Sequence, residues 1–399
     1  MQTLSYAREP VPPYHPEVGT LAVSFFTQSN TFEQVWPVTR RHIVEVIENG
    51  KYSHGRKVAE FEAALAAYTG ARFVVGVNSG TDALVLLLRA AGLRPGDEVV
   101  VPAFSFGASA TSVVLAGGRP VFADIEPDGY GIDPAAVAAA AGERTRFVMP
   151  THLFSGLADI DGVLRVSRER GLVVVEDSAE AIGMRRDGKH AGLFGAGGVL
   201  SFFPTKTLGA IGDAGAVLTD DPGVAEIADA LRHHGRFGAT IGDFSAIATT
   251  TGLAGFNSKM DEIQAAVLLA KLDRLDDDIA RRASLAARYT EALAGLTGVR
   301  KVPVPRTDSV FYVYVVEVDS RDDLAEHLSA HGVQTEVYYP APLHLQPCFA
   351  ELGHREGDFP NAENACRHTL ALPLYPDMSD GDIDEVCGLI RAFYRGART

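Results

Sequence analysis

The sequence contains little cysteine: only Cys348, Cys366 and Cys387 occur in 399 residues, and none belongs to a CxxC pair. So small and odd a set argues against a disulfide framework, and the missing paired spacing argues against a zinc site. We therefore expect no metal site and a reducing compartment, the cytoplasm.

Positive charge is also scarce. Lys and Arg total 36 against 51 Asp and Glu, which gives a formal net charge of −15. Because both nucleic acid and anionic membrane attract basic surfaces, we expect the chain to bind neither of them non-specifically. Because the overall negative charge repels anions, an anionic substrate would need a pocket lined by positive side chains.

Long apolar runs are missing as well. The best candidate, residues 99–118, is interrupted by Pro102, Gly107 and several hydroxyl residues, which predicts strand, loop and helix rather than a membrane span. The first residues are proline-rich and polar and lack the apolar core of a signal peptide. The sequence therefore predicts a soluble protein.

Short apolar runs that alternate with helical segments dominate residues 73–218. The runs are residues 73–77, 99–101, 120–122, 147–149, 172–176, 199–203 and 216–218. Buried strands joined by amphipathic helices predict a mostly parallel, seven-stranded sheet between helices, hence an α/β fold. Functional residues of such sheets lie beyond the carboxyl ends of the strands.

The chain is predicted to have four parts. Prolines prevent regular structure in an N-terminal arm, residues 1–25. A large domain follows over residues 26–260, and one long helical region over residues 261–295 connects it to a smaller α/β domain over residues 296–399. Within the small domain we expect strands at residues 310–318 and 333–338 and a helix at residues 321–331.

The end of the first strand has the composition of a phosphate site. Asn78-Ser79-Gly80-Thr81 follows residues 73–77 and opens a helix. Gly80 allows close approach of a ligand, Thr81 offers a hydroxyl, and the helix N-terminus offers amide donors. The alternative is an ordinary helix cap.

Two further strand ends carry a charged residue. Asp177 follows the run LVVVE, which is apolar except for Glu176, and an acid at this place can be a metal ligand, a helix cap or the partner of a buried cation. Lys206 follows Ser201 on a glycine-rich loop, where apolar surroundings would disfavour its charged form and prepare it to form a Schiff base. The alternative for Lys206 is a solvent-facing loop lysine.

Jointly, these three strand ends match the needs of pyridoxal 5′-phosphate (PLP). The cofactor requires a lysine for its imine, an acid that keeps its pyridine nitrogen protonated, and a seat for its phosphate. A PLP enzyme is therefore the function that the residues favour.

Sequence blocks spread from about Gly50 to the C-terminus resemble the DegT/DnrJ/StrS family of PLP-dependent sugar aminotransferases, which has the aspartate aminotransferase fold. The blocks, in chain order, are GKYSHGRKVAEFE, NSGTDAL, PGDEVVVPAFSFGASA, PTHLFSGLADIDG, EDSAEAIG, SFFPTKTLGAIGDAGA, GFNSKMDEIQAAV, and YYPAPLHLQPCF with LALPLYPDMS. Their common order makes the resemblance specific.

The resemblance assigns roles to individual residues. Lys206 resembles the Schiff-base lysine that also moves the proton, and Asp177 the partner of the pyridine nitrogen. Phe106 resembles the aromatic residue that stacks on the cofactor ring, unless it is a core residue. The implied phosphate ligands are Gly80, Thr81, Ser201 and Asn257.

Asn257 resembles a residue that reaches the phosphate from a partner subunit, which implies a homodimer with shared active sites. The alternative is that Asn257 caps the helix expected to begin near Met260.

At position 180 much of the family carries glutamine, whereas this chain has Glu180. An ionised carboxylate only accepts hydrogen bonds and would repel the cofactor's phenolate oxygen. Glu180 is therefore either protonated or turned toward another group, such as a substrate hydroxyl or a cation, and we expect the protonated form. Glu180 resembles relatives that aminate C4 of the sugar, whereas NSKMDEIQAA resembles those that aminate C3.

The substrate pocket implied by the resemblance is lined by His152, Lys259, Tyr338, Tyr339 and His344. His233, His234 and Arg236 lie in a loop where they contact either a substrate diphosphate or only solvent.

The resemblance implies transfer of an amino group from glutamate or glutamine to C3 or C4 of a nucleotide-linked keto deoxyhexose. A keto-cyclitol substrate is the alternative. A PLP-dependent sugar dehydratase is disfavoured because its relatives carry histidine at the position of Lys206, and a non-catalytic sensor because Lys206, Asp177 and Thr81 are all present.

Overall fold

The computed structural model describes residues 23–53, 55–237, 251–306 and 309–396. The expected N-terminal arm, residues 1–25, lies almost wholly outside these residues, and the predicted boundaries of the four parts stay a prediction.

A seven-stranded sheet forms the centre of the molecule, with strand order β1-β9-β8-β5-β4-β2-β3. Strands β1 and β8 each pair antiparallel with β9, and all remaining pairs are parallel. The strands are β1 Phe73–Val77, β2 Glu98–Pro102, β3 Arg119–Ala123, β4 Thr145–Val148, β5 Val173–Asp177, β8 Gly197–Ser201 and β9 Gly215–Thr219. The expectation of a mostly parallel, seven-stranded sheet is confirmed.

Helices accompany this sheet: among the described residues, two precede its first strand, four lie between its strands and one directly follows its last strand. They are α1 Ser29–Asn49, α2 Arg56–Thr69, α3 Gly80–Ala90, α4 Gly107–Leu115, α5 Pro134–Ala140, α6 Ile160–Arg170 and α7 Pro222–Arg232. Gly50 and Gly70 end α1 and α2 in the left-handed conformation, which glycine adopts at little cost. A short hairpin, β6 Arg185–Arg186 and β7 Lys189–His190, lies before β8.

Two helices and a second sheet complete the chain. Helices α8 Glu262–Leu272 and α9 Leu275–Leu293 replace the single long helix that was expected, because the chain turns between them. An antiparallel sheet follows, with the order β10-β11-β12. Its strands and the accompanying helices are β10 Val299–Lys301, α10 Arg321–Ala330, β11 Tyr314–Val318, α11 Pro360–His368, β12 Thr369–Leu372 and α12 Asp380–Gly396.

Two predictions of secondary structure are wrong: a strand over residues 333–338 and a first helix that begins only at Pro37. Residues 333–338 form no strand and make only isolated bridges, from Val333 to Val23 and from Glu336 to Ala371. The third strand of the small sheet is instead β12, whose four buried residues are too few to stand out. The first helix begins at Ser29, so that Pro37 lies inside it.

Both sheets contribute to one apolar core. Its buried side chains include Val99 and Val199 of the large sheet together with Val315 and Ala371 of the small one. This shared core fixes the two sheets against each other. Within the described residues, no helix combines the length and apolar character that a membrane crossing requires.

Candidate active site

The carboxyl ends of β1, β5 and β8 lie at one edge of the large sheet, since these strands run in the same direction. The edge collects the turn after Val77, the acid Asp177 and the hydroxyl residue Ser201. Three strand ends that are far apart in sequence are therefore adjacent in space, as a cofactor site in such a sheet requires.

Gly80 and Ser201 are in close contact at this edge. A side chain at position 80 would place its Cβ 2.8 Å from Ser201 Cβ, so only glycine permits the approach. Gly80 is the first residue of α3, and Ser79 caps that helix by accepting the amide of Asp82 at 3.1 Å. The alternative of a helix cap is therefore correct for Ser79. Gly80, Thr81 and Ser201 are not part of that cap and lie at the N-terminus of α3.

Asp177 is a buried acid without an ion-pair partner within 4 Å in the described parts of the chain. Its Oδ2 accepts the hydroxyl of Ser109 at 2.7 Å, and its Oδ1 accepts the amide of Ala179 at 3.3 Å. Burial raises the pKa of Asp177, while the Ser109 and Ala179 donors oppose that rise. A helix cap is excluded, since no helix follows at Ala179.

Lys206 and Glu180 form an ion pair in which Nζ lies 3.1 Å from Oε1. Only 15% of the Lys206 side chain and 5% of the Glu180 side chain are exposed. The same nitrogen lies 4.2 Å from the centre of the Tyr312 ring, a cation–π distance. Lys206 is therefore not a solvent-facing loop lysine.

The expectation that apolar surroundings would disfavour the charged form of Lys206 is wrong. Burial by itself lowers the pKa of Lys206, but Glu180, Tyr312 and Asp177 together raise it above the ordinary value. The lysine therefore rests as an ammonium held by a carboxylate.

Glu180 accepts hydrogen bonds at both of its oxygens. Phe154 donates its amide to Oε2 at 2.9 Å, while Oε1 accepts from Lys206 and, at 3.5 Å, from the Tyr339 hydroxyl. Because all these partners donate, both oxygens of Glu180 act as acceptors, and the protonation of Glu180 beside a bound cofactor stays a prediction. Glu180 is turned toward a cation, the second of the two possibilities.

Aromatic side chains line the same edge. The Tyr312 hydroxyl lies 3.2 Å from the hydroxyls of both Tyr338 and Thr205. Tyr339 has a φ of +57°, a conformation that non-glycine residues rarely adopt, and its ring stacks on Phe154. The structure thus brings Tyr338 and Tyr339 to the Lys206–Glu180 pair.

Phe106 lies at the N-terminus of α4, and 62% of it is exposed. Its ring centre is 6.4 Å from that of Tyr339. The alternative that Phe106 is a core aromatic residue is wrong, and stacking on a cofactor ring stays a prediction.

His152 and His344 are buried in hydrogen-bonded pairs rather than lining an open cleft. His152 Nε2 lies 3.0 Å from Glu176, and its Nδ1 accepts the amide of Ala158. His344 Nε2 lies 3.2 Å from Glu363. Their assignment as substrate contacts stays a prediction, and these pairs give both rings a structural role.

Asn257, Lys259 and Arg236 lie near α7 and the first strand. The oxygen of Asn257 accepts from Lys259 Nζ, and Lys259 forms a backbone bridge to Val77. Burial, and then Arg232 and Arg236, lower the pKa of Lys259, so these cations share one neighbourhood.

Asn257 does not cap the following helix. Helix α8 begins at Glu262 with Asp261 as its N-terminal flanking residue, so that alternative is wrong. His233 is buried beside Asn257, and His234 is exposed.

Sequence reasoning missed several residues of the site. Ser109 is the donor to Asp177 and itself lies 2.6 Å from the hydroxyl of Ser105. The signal was present, since two hydroxyl residues, Ser105 in the loop and Ser109 in the first turn of α4, follow the end of β2. Tyr312 carried no comparable signal, because only the tertiary fold brings it to Lys206.

The donor set fits PLP. A buried carboxylate without a cation is costly, and a protonated pyridine nitrogen would supply that cation at Asp177. Gly80, Thr81 and Ser201 offer amide and hydroxyl donors to a phosphate, and Lys206 offers the amine. In the described chain, no group of three or more His, Cys, Asp or Glu side chains is arranged to hold a metal ion.

Comparison with known proteins agrees with this chemistry. Residues 38–391 match the DegT/DnrJ/EryC1/StrS aminotransferase family. The "pleiotropic regulatory protein" of Geobacillus stearothermophilus is 40% identical over 370 residues, which cover 92% of this chain and 97% of that relative. The dTDP-3-amino-3,4,6-trideoxy-alpha-D-glucose transaminase of Streptomyces venezuelae is 39% identical over 360 residues, 90% of this chain and 93% of that enzyme.

A solved structure is similar over nearly the same length. The crystal structure of S. venezuelae DesV in complex with a ketimine intermediate is 38% identical and matches with a TM-score of 0.87. The match covers 93% of this chain and 98% of DesV. With its sheet order, its donor set and these matches, the chain belongs to the DegT/DnrJ/EryC1/StrS family of PLP-dependent aminotransferases.

Proposed function

We propose that this protein is a PLP-dependent aminotransferase that moves an amino group from glutamate or glutamine to the C3 or C4 keto group of a nucleotide-linked deoxyhexose, in the biosynthesis of an aminosugar. The contact between Lys206 and Glu180, on the sheet edge that also holds Asp177, carries the proposal. It provides an amine and a carboxylate for proton movement beside an acid that can hold a pyridine nitrogen.

PLP, when bound, supplies an electron sink for the proton shift of transamination. The protein's own residues do the rest. Asp177 would hold the proton of the pyridine nitrogen, and Gly80, Thr81, Ser201 and Asn257 would bind the phosphate. Lys206 would give and take the proton at the substrate carbon, and Glu180 would hold the Lys206 amine in place between transfers.

A nucleotide-linked substrate is supported by the cations near α7. A diphosphate must bind a protein of net charge −15, which requires a local cluster of positive side chains. Lys259 and Arg236 lie close enough to Arg232 for their charges to act on one another. We propose that this cluster, and not the buried His152 or His344, meets the diphosphate.

We also propose a homodimer in the cytoplasm, with an active site shared between subunits. The support for sharing is chemical, because a doubly charged phosphate needs more donors than Gly80, Thr81 and Ser201 supply. Asn257 of the partner subunit would add one.

The test of this function is a substrate panel. The protein is converted to its pyridoxamine 5′-phosphate form and mixed with 3-keto and 4-keto nucleotide deoxyhexoses and with a keto-cyclitol, while the cofactor absorbance is followed. Return of the pyridoxal absorbance with a nucleotide keto sugar supports the proposal, and the position of its keto group assigns C3 or C4. Reaction with the keto-cyclitol alone would establish the alternative.

A regulatory role without catalysis is the second candidate, since one relative bears a regulatory name. Return of the pyridoxal absorbance in the substrate panel separates the two roles, since only a catalyst transfers the amino group, and borohydride tests whether the cofactor is held on Lys206 at all. Treatment of the PLP-loaded protein should fix the cofactor irreversibly on Lys206, whereas a protein that forms no imine would release it on denaturation.

A further inference from the structure

The loop that carries Lys206 is a tight, closed turn. Ala210 donates its amide to the Phe202 carbonyl at 2.8 Å, and the amide of Lys206 bonds to Phe203 at 2.8 Å. Any side chain at Gly209 would place its Cβ 2.3 Å from the carbonyl oxygen of Pro204. Glycine is therefore required there for the two flanks of the loop to meet.

Two side chains from outside the loop bind its backbone on either side of Lys206. Gln28 donates its Nε2 to the Pro204 carbonyl at 2.5 Å. Lys271 donates its Nζ to the Gly209 carbonyl at 2.5 Å and to the Oε1 of Gln28 at 2.5 Å. The three contacts connect, so that Gln28 and Lys271 hold both flanks of the loop as one unit.

Lys271 is buried, with 4% of its surface exposed. Burial lowers the pKa of Lys271 to about 8. Charges of both signs act on it: Asp278 and Asp377 favour the ammonium, while Arg282 and Arg274 oppose it. A buried amine held by neutral oxygens costs free energy that an apolar side chain would not. Since burial of Lys271 costs free energy, its contacts with the loop and with Gln28 indicate its role.

We propose that Lys271 and Gln28 are positioning residues that clamp the loop of Lys206 and thereby fix the place of its amine. The proposal rests on the proposed function, in which Lys206 is the reacting group. Pro204 and Gly209 lie two and three residues from Lys206, so a shift of either carbonyl displaces that backbone. A displacement of about 1 Å can lower the rate by two orders of magnitude.

The segments that carry Gln28 and Lys271 are held in place by other parts of the chain. Lys271 lies on α8, which packs along α1. Gln28 flanks the start of α1, whose Thr31 donates its hydroxyl to Asp377 at 2.6 Å. The segment before it is tied to the C-terminal part of the chain, where Val23 donates its amide to Gly332 and accepts that of Gln334. The loop of Lys206 is thus held by elements from both ends of the chain.

The experiment compares two clamp variants with a matched buried lysine. Lys271→Met removes the amine, and Gln28→Glu keeps the acceptor for Lys271 but loses the donor to Pro204. Lys57→Met is the control, since Lys57 is equally buried but bonds to Glu45 and Glu60. The measurements are the melting temperature, kcat, KM, and the rate at which apoprotein captures PLP on Lys206, read by borohydride trapping and peptide mapping.

We expect Lys271→Met and Gln28→Glu to slow PLP capture and lower kcat by about 10-fold or more, with KM changed by less than about two-fold. Lys57→Met should lower the melting temperature but leave the capture rate near that of the wild type. A fall in kcat with KM nearly unchanged indicates a misplaced amine rather than weakened substrate binding.

Several outcomes overturn the clamp. Wild-type capture rates in folded Lys271→Met or Gln28→Glu protein would do so, as would equal slowing in Lys57→Met, which would reflect a general loss of stability. If Lys271→Met does not fold, Gln28→Glu decides alone. Absence of trapping on Lys206 in the wild-type protein would instead refute the proposed function, which separates the two failures.

Discussion

The amine of Lys206 lies 3.1 Å from the carboxylate of Glu180, and this pair sets the charge state of the site. An ammonium has no lone pair, so Lys206 must lose a proton before it can attack a carbonyl. Glu180 favours the ammonium, and it therefore controls the pH at which the lysine becomes reactive.

Lys206→Ala should abolish turnover while the fold survives. The variant keeps the phosphate donors but has no amine to capture the cofactor or move the proton, so we expect kcat to fall by at least about 10³-fold. Circular dichroism and steady-state kinetics measure the two effects. Appreciable transamination by this variant would contradict the assignment of Lys206.

The same substitution should lower stability, because it leaves Glu180 without its cation. Since Glu180 keeps the Phe154 amide and the Tyr339 hydroxyl, the loss should be on the order of 1–3 kcal/mol in the free energy of unfolding. Adding Glu180→Gln should restore part of that stability and none of the activity. A double variant as unstable as the single one would show that the ion pair is not the cause.

Asp177→Asn should lower kcat by about 10³-fold or more, because a neutral amide cannot hold the proton of a pyridine nitrogen. Ser109→Ala should have a smaller effect in the same direction, since Ser109 stabilises the carboxylate form of Asp177. Ser112→Ala is the matched control: it is equally buried on α4 but donates only to a backbone oxygen. A near-normal rate in Asp177→Asn would mean that another group is the acid.

Glu180→Gln should lower the pH at which Lys206 loses its proton. Glu180 raises the pKa of Lys206, so its neutral replacement removes stabilisation of the ammonium and the pKa falls. The pH dependence of PLP capture measures this for the apoprotein, and an absorbance titration measures it for the loaded protein. An unchanged midpoint would support a protonated Glu180 beside the cofactor.

Complementation between subunits tests the shared site. Lys206→Ala and Asn257→Ala homodimers, each inactive, are mixed after mild dissociation. If Asn257 acts across the interface, each heterodimer has one site with both defects and one with neither, and activity returns.

If Asn257 serves its own subunit, both sites stay defective. The structure makes this contrast worth testing, because Ser258 donates its hydroxyl to Asn78 of the same chain at 2.9 Å. Provided that Asn257→Ala is itself inactive, confirmed heterodimers without activity would refute sharing.

Lys271 should make stability depend on alkaline pH. The pKa of Lys271 is about 8 in the folded protein and about 10.5 unfolded. Below pH 8 both states carry the proton, whereas between these values only the unfolded state does, so folding becomes more favourable as pH rises.

The wild type should therefore gain on the order of 1–3 kcal/mol relative to Lys271→Met between pH 8 and 10.5. Denaturant unfolding of both proteins across this range measures the difference. A constant difference would show that Lys271 titrates in its ordinary range.

The local sequence pattern determined the strands of the large sheet and the candidate residues of the site. The seven apolar runs predicted the strands of the large sheet, because a strand buried on both faces must be almost wholly apolar. The rule that functional residues follow such strands selected Gly80, Asp177, Ser201 and Lys206 as candidates, since parallel strands bring their carboxyl ends to one edge.

Short strands and isolated strand pairings could not be predicted from the sequence. Residues 333–338 have the composition of a strand but lack a neighbour to pair with continuously, and β12 pairs well despite its four residues. Strand formation depends on a partner, and the partner is chosen by the tertiary fold.

The contacts that set the charges of the site were decided only by the tertiary structure. Glu180 and Lys206 are 26 residues apart, Tyr312 lies more than a hundred residues beyond, and Gln28 and Lys271 reach the same loop from 243 residues apart. No local pattern relates such distant residues, because their meeting depends on the packing of helices and of both sheets. The sequence thus determined which groups could do the chemistry, and the packing decided that the amine of Lys206 lies against the carboxylate of Glu180.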